Sequence, residues 1–409
     1  MLCINLTNNN DMKKIIYVAG PIDADHVYEC WKNAEEDQSY FGARYLTQFY
    51  QASKDLSFEP YVIAPVRKGK EFEASKHAHI EYWDRNFECN SGIYYHLNQL
   101  FLMLRILLKA IKLKAFAVVV TPARPYWFIL TLLPLLGIRV IPSIHCVLWP
   151  KFGQPSRTHK VLLNLTSSFL KSACLAILVA SDDIAEQVSI VTGGKSRPVF
   201  KFLPSYPRDL FGIDSTVEQS TSFNVLFAGR IEVDKGIYLL LEIAQRLKGT
   251  SQSNIVFDIC GRGSALEDLR RAVKESDLED IFVCHGYCDK PTLKDFYLRS
   301  SVVVVPTTTD FIEGFNQVVC EAVLAGKPVI TSEVCPSASI VSEASIIVQP
   351  DNINAFEQAI INLYEDRELY AQKSIATLSL REQFYDNKNS WYANFRTILL
   401  MSNAFQEVA

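Results

Sequence analysis

The stretch VVVVPTTTDFIEGFNQVVCEAVLAGKPVITSE, residues 302–333, reads as a single β-α-β unit. VVVVP is apolar without alternation, as a strand covered on both faces must be. FNQVVCEAVLAG spaces its apolar residues three or four apart, which marks a helix beginning near Gly314-Phe315. Ala325-Gly326 stops that helix, and Lys327-Pro328 opens the next strand. Two acids flank the start: Glu313 stands at the mouth of the helix, and Glu321 lies on the same face as Gly314, two turns further and about 10 Å along the axis. A carboxylate is costly to desolvate, so this pair is either a pair of ordinary helix acids or a working pair in a ligand cleft.

The same rhythm extends in both directions. Toward the carboxyl side lies the strand SIIVQP (345–350), and everything beyond Pro350 has helical periodicity, with a break near Asp386-Asn387. Upstream lie FNVLFAGR (223–230), IVFDICGRG (255–263) and IFVCHGY (281–287), separated by amphipathic segments. A polar stretch, DSTVEQSTS, precedes them and reads as a linker at 214–222. Before it come KKIIYVAG (13–20), EPYVIAPV (59–66), FAVVVTP (116–122), RVIPSIHC (139–146), CLAILVAS (174–181) and PVFKFLP (198–204). The expectation is an α/β protein of two doubly wound Rossmann-like domains, 1–213 and 223–385, with a last helix, 386–409, returning to the first domain. In such sheets ligands bind at the carboxyl ends of the strands, so two facing sheets direct attention to the cleft between them.

After the first strand of the second domain comes GRIEVDKG, residues 229–236. Gly229 allows a close turn, and Arg230 and Lys235 bring two cations to the cleft edge beside a helix start, an arrangement suited to a diphosphate. The alternative is a solvated loop with incidental charges. After the next strand, Gly261 and Gly263 permit close approach of a ligand, although a Gly-x-Gly alone is weak evidence. A nucleotide diphosphate-sugar laid along the 302–333 unit would place its sugar near Glu313 and its ribose near Glu321, since each carboxylate accepts two hydroxyl hydrogen bonds. Glu313 would repel the diphosphate unless Arg230 and Lys235 neutralised it.

In this order and spacing, GRIEVDKG, CGRGSALEDL, FVCHGY and EGFNQVVCEAVLAGKPVI resemble the family 4 glycosyltransferases, retaining enzymes of the GT-B fold. The resemblance covers roughly residues 223–350 and includes the E-x7-E pair Glu313 and Glu321. It implies a nucleotide-sugar donor whose ribose is held by Glu321 and whose sugar hydroxyls meet Glu313. Arg230 and Lys235 would stabilise the leaving diphosphate, and Phe315 and Asn316 would offer backbone amides. His145, at the end of IPSIHCV, would face the donor sugar, and Gly20-Pro21 would lie near donor and acceptor. Neither a metal nor another cofactor is implied. Departures from the family pattern fall mostly on the acceptor side: AGPID lacks the Gly-rich run, and LPSYP (203–207) replaces an Asn-Gly-Val-Asp turn. A GT-B epimerase, or a degenerate transferase kept as a binding or scaffold subunit, stands as the alternative.

Composition sets outer limits. The 409 residues carry a net charge of −4, with no basic tail to suggest nucleic acid as a partner. The ten scattered cysteines and the absence of a leader pattern suggest reduced thiols in the cytoplasm. Cys284 and Cys288 around His285 fit no common zinc spacing. Asp23-Ala24-Asp25 reads as a helix start rather than a metal motif. LNQLFLMLRILLKAIKLKAF, residues 97–116, sets Arg105, Lys109 and Lys112 along one helical stripe. That is either a core helix with a solvated basic face, or a helix resting on anionic lipid at the cytoplasmic face of a membrane, where a lipid-linked acceptor would be met.

Overall fold

The computed structural model describes residues 12–38, 41–42, 44–66, 77–84, 92–121, 125–211, 222–252 and 254–404. Among the described residues thirteen strands form two wholly parallel sheets. The first comprises β1 (Lys14–Val18), β2 (Glu59–Val66), β3 (Ile80–Asp84), β4 (Ala117–Val120), β5 (Arg139–Ile144), β6 (Ile177–Val179) and β7 (Val199–Lys201), in the order β3-β2-β1-β4-β5-β6-β7. The second comprises β8 (Phe223–Ala228), β9 (Ile255–Cys260), β10 (Phe282–Gly286), β11 (Val302–Val305), β12 (Val329–Ser332) and β13 (Ser345–Val348), in the order β10-β9-β8-β11-β12-β13. Both are doubly wound, and in each the chain reverses direction beside its first strand (β1/β4 and β8/β11), which opens a crevice at the strand ends.

Composition explains the layering. β4 (AVVV) and β11 (VVVV) lie in sheet interiors with every residue buried. β-branched side chains suit a pleated surface packed on both sides. β3 (IEYWD), which the hydrophobic runs did not announce, is an edge strand. It buries Ile80 and Trp83, and its Glu81 is bonded by Tyr61, by Trp83 Nε1 at 2.9 Å and by Lys109 Nζ at 2.6 Å. Such an edge shows no unbroken apolar run.

That edge also redefines the stripe on residues 97–116. The helix runs Gly92–Lys112. Its Arg105 lies over the Trp83 ring at 4.2 Å, and Lys109 pairs with Glu81, so both cations turn toward β3. The face left open to solvent is largely apolar: Phe101, Leu104, Leu108 and Ile111 are exposed there, with Arg105 and Lys112 beside them. Asp23 caps the helix Ala24–Asn33 by accepting from the amide of His26 at 3.0 Å.

The 214–222 segment lies, except for Ser222, outside the described residues. The carboxyl-terminal helices run Ile353–Glu365, Arg367–Leu380 and Glu382–Tyr385, and the chain then crosses to the first sheet. LPSYP receives this crossing: Leu203 N donates to Asn389 O at 2.8 Å, and Tyr206 N donates to Phe384 O at 2.9 Å. The final helix, Trp391–Ala404, buries Trp391, Phe395, Ile398 and Leu399 in the first unit's core. The Trp391 indole stacks on Phe395 at 4.7 Å and donates to Ser143 Oγ at 2.9 Å. Replacing Trp391 by Ala should lower stability by about 3–5 kcal/mol, read as a lower urea midpoint. An unchanged midpoint would make this helix a detachable appendage.

Candidate functional site

The strand ends of the two units meet in the cleft, and there backbone meets backbone. Cys146 and Gly314 form an antiparallel bridge, and Val147 N donates to Glu313 O at 3.2 Å. A Cβ on Gly314 would lie 2.2 Å from His145 O, so only glycine allows this contact. The helix therefore starts later than its apolar spacing predicts. It runs Gln317–Leu324, with the Asn316 side chain capping it by accepting from Val318 N at 3.1 Å. Residues 313–316 are an extended entry whose backbone serves the seam with the first unit.

Glu313 is buried at 7 % exposure, with both carboxylate oxygens hydrogen-bonded. Its Oε2 accepts from Lys235 Nζ at 2.7 Å, from Asn316 Nδ2 at 3.1 Å and from Thr307 Oγ1 at 3.3 Å. Its Oε1 accepts from the amide of Gly314 at 3.1 Å. Lys235 also lies 3.7 Å from the centre of the Phe311 ring, and the Arg230 guanidinium lies 5.4 Å from the same ring. One aromatic face thus sits under both cations. Among the described residues Arg230 makes no ion pair, and its side chain is exposed to the cleft.

Glu321 is equally buried but has a different partner: Tyr297 donates its phenol proton to Oε2 at 2.7 Å. Burial pushes the Glu321 carboxyl up to about 7, with the Tyr297 hydrogen bond opposing the rise. His145 on the first unit is packed between Tyr45 and Phe202, with ring centres 4.5 and 5.3 Å away. Burial pulls its pKa down to about 4, so it is neutral at neutral pH. Its Nε2 lies 2.9 Å from Ser143 Oγ, the atom that also receives the Trp391 indole proton. The Ser143 hydroxyl is fully buried and, among the described residues, finds an acceptor for its own proton at Nε2, which places the imidazole proton on Nδ1.

Three cavities adjoin along the cleft. The central one, about 360 Å³, is lined by His145, Gly229, Arg230, Lys235, Glu313 and Gly314, with Phe315 and Asn316 at its wall. A second, about 380 Å³, shares Gly229 and Arg230 with it and adds Gly261, Arg262, Tyr287 and Glu321. The third, about 390 Å³, shares His145 with the central cavity and is lined by Gly20, Pro21, Ile22 and Tyr45. Gly261 and Gly263 meet a packing demand of their own. A Cβ on Gly261 would lie 1.7 Å from Gly229 O, and one on Gly263 1.9 Å from Ile231 O. These two glycines let the loops after β8 and β9 interlock, which is what holds Arg230 at the shared wall.

Several participants left no signal in the sequence. Phe311 and Thr307 sit in the loop before Glu313 and read as ordinary loop residues. Tyr297 belongs to a helix whose periodicity places it in the core. Among the described residues no group of three His, Cys, Asp or Glu side chains is placed to hold a metal ion. His285 instead pairs with Asp258 at 2.6 Å.

With this geometry in place, comparison with known proteins is informative. Residues 213–377 match the family model described as glycosyl transferases group 1. The D-inositol 3-phosphate glycosyltransferase of Paenarthrobacter aurescens is 28% identical over 170 residues, 40% of this chain and 40% of that protein. The lipopolysaccharide 1,2-N-acetylglucosaminetransferase of Salmonella typhimurium is 31% identical over 158 residues, 36% of this chain and 39% of its own length. The chain thus spans about two fifths of the length of these curated relatives. The likeness in fold is wider: Anabaena HepE, solved in complex with UDP-glucose, superposes with a TM-score of 0.64 over 95% of this chain and 99% of its own, at 13% identity.

The raised Glu321 pKa has a testable sign. The protonated form is favoured by folding, so its stabilising effect is complete below the ordinary value of 4.5 and is lost as pH rises toward about 7. Relative to wild type, Glu321→Gln should gain stability across that window, on the order of 1–3 kcal/mol, in urea unfolding at a series of pH values. A constant difference from pH 4 to 8 would contradict the assignment.

Proposed function

We propose that the chain is a retaining glycosyltransferase that moves a sugar from a nucleotide-diphosphate donor to an acceptor hydroxyl, without a resident metal. The observation that carries this reading is the linear arrangement of three cavities, with Arg230 at the first junction and His145 at the second. A nucleoside fits the outer cavity, where Glu321 faces the ribose diol and Tyr287 offers a flat surface, itself covered by Arg262 at 3.8 Å. The diphosphate then lies at the Gly229–Arg230 wall. The donor sugar falls in the central cavity, between Glu313 and His145. The remaining cavity, at Gly20 and Tyr45, takes the acceptor.

Each residue has a chemical task in this arrangement. As the glycosidic bond lengthens, negative charge grows on the departing diphosphate, and Arg230 and Lys235 sit where it grows. Glu313 anchors Lys235 and presents its remaining lone pairs to sugar hydroxyls. His145, uncharged, offers a hydrogen bond without adding positive charge beside a reacting carbon that itself becomes cationic. On the acceptor face the leaving phosphate oxygen takes the hydroxyl proton, which gives retention. The donor class is supported by the UDP-glucose complex of Anabaena HepE, and a carbohydrate or lipid-linked acceptor by the two relatives named for D-inositol 3-phosphate and for lipopolysaccharide.

A thermal-shift screen of nucleotide diphosphates and nucleotide sugars tests donor binding directly, since a ligand at 100 times its dissociation constant adds about 2.7 kcal/mol. A shift with one nucleotide class is expected, and its absence across all of them would remove the donor reading. With the donor in hand, Lys235→Ala and Glu313→Ala should each lower turnover by a factor on the order of 10²–10³ while circular dichroism stays unchanged. Undiminished turnover in both would remove the site assignment.

A further inference from the structure

Residues 89–181 contain no Asp and no Glu, but ten Lys and Arg. The rest of the chain carries thirty-one cations against forty-five acids, so charge is sharply segregated. The segment folds into contiguous elements of the first unit. The turn Trp127–Thr131 packs against both the Gly92–Lys112 helix and the helix Arg157–Ser168. On this surface Phe101, Leu104, Leu108, Leu132, Leu135 and Leu136 are all exposed, Leu135 at 79 %. Soluble monomers rarely expose so many large apolar side chains side by side. Lys112, Arg157, Lys160 and Lys171 are exposed on the same elements.

We propose that this surface docks on an anionic lipid bilayer, with the leucines entering the interface and the lysines and arginines meeting the headgroups. An interfacial seat combines an apolar face with cations and lies in the membrane plane instead of crossing it. Among the described residues no helix is long and apolar enough to cross. Charge argues against a second copy of this chain as the occupant, because two-fold pairing would set one acid-free basic face against another. The contact is carried by apolar insertion as well as charge, since Arg105 and Lys109 are already committed to β3. The Gly92–Lys112 helix follows β3, so its amino-terminal end lies on the carboxyl side of the parallel sheet, and there His96 bonds Tyr126, which follows β4. A bilayer on this face therefore meets the first unit on the side of the sheet where the proposed function seats the acceptor, and that last link rests on the proposed function.

The test is flotation of the full chain with phosphatidylcholine vesicles, with and without phosphatidylglycerol, at low and high salt. Binding is expected only with phosphatidylglycerol, weakened by salt. Leu108→Glu combined with Leu135→Glu should reduce the bound fraction roughly tenfold, and Arg157→Glu combined with Lys160→Glu should do the same at low salt. Both substitution pairs are at exposed positions, and an unchanged thermal midpoint confirms that they fold. No flotation, flotation indifferent to phosphatidylglycerol, or variants that float like wild type would each overturn the proposal. So would a dimer in light scattering that the leucine variants dissociate. Nucleotide thermal shifts, read on the same variants without vesicles, report on the donor site separately.

Discussion

The site depends on one backbone contact between two sheets. Cys146 and Gly314 bridge antiparallel, and the Glu313 carbonyl accepts from Val147. The strand-end loops of β5 and β11 are thereby fixed against each other with no side chain between them at Gly314. A side chain at 314 would hold the units apart and separate His145 from Glu313. The acid and the histidine face one cavity because the backbone of each is part of the other's wall. Elements from both units also share a hydrophobic core, in which Phe41 and Phe211 pack on Tyr297 at 5.9 and 5.6 Å. The tyrosine that holds Glu321 is thus itself held by the first unit.

The two glutamates differ because their partners differ. Glu313 is buried with a lysine and three further donors, so removing either member of the pair would leave an uncompensated charge in a poorly solvated place. Glu321 is buried with a single neutral phenol, and its carboxyl is pushed toward neutrality. One carboxylate is tied to a lysine, and the other can gain or lose a proton near neutral pH. The phosphate-binding wall contains glycines for a related reason: Gly261 and Gly263 let two loops share space, and Arg230 stands on the loop they clamp.

Much of this could be read from the sequence, and the exceptions have physical causes. Central strands such as VVVV announce themselves because both faces are buried, whereas edge strand β3 satisfies its polar residues through Tyr61 and Lys109 and breaks the apolar run. The E-x7-E spacing and the Arg230–Lys235 pair were visible because function demands specific charges at strand ends. Phe311 and Tyr297 were not, because an aromatic beneath a cation or beside a carboxylate looks like any other core or loop aromatic. The basic stripe at 97–116 is legible as spacing, but its pairing is not: Arg105 and Lys112 are exposed, while Lys109 pairs with Glu81 on β3. Periodicity shows which residues share a face, not what that face meets. Trp391 and Ser143 lie far apart in sequence, so their link to His145 emerged only once the last helix was placed.

The returning chain lies against the end of the first unit, since Leu203 and Tyr206 bond its backbone at Asn389 and Phe384. Trp391 sits two residues past that contact and donates to Ser143, whose hydroxyl reaches His145. The carboxyl-terminal crossing therefore acts as a latch on the histidine: loosening the last helix would disturb the imidazole without altering any residue that lines the cleft.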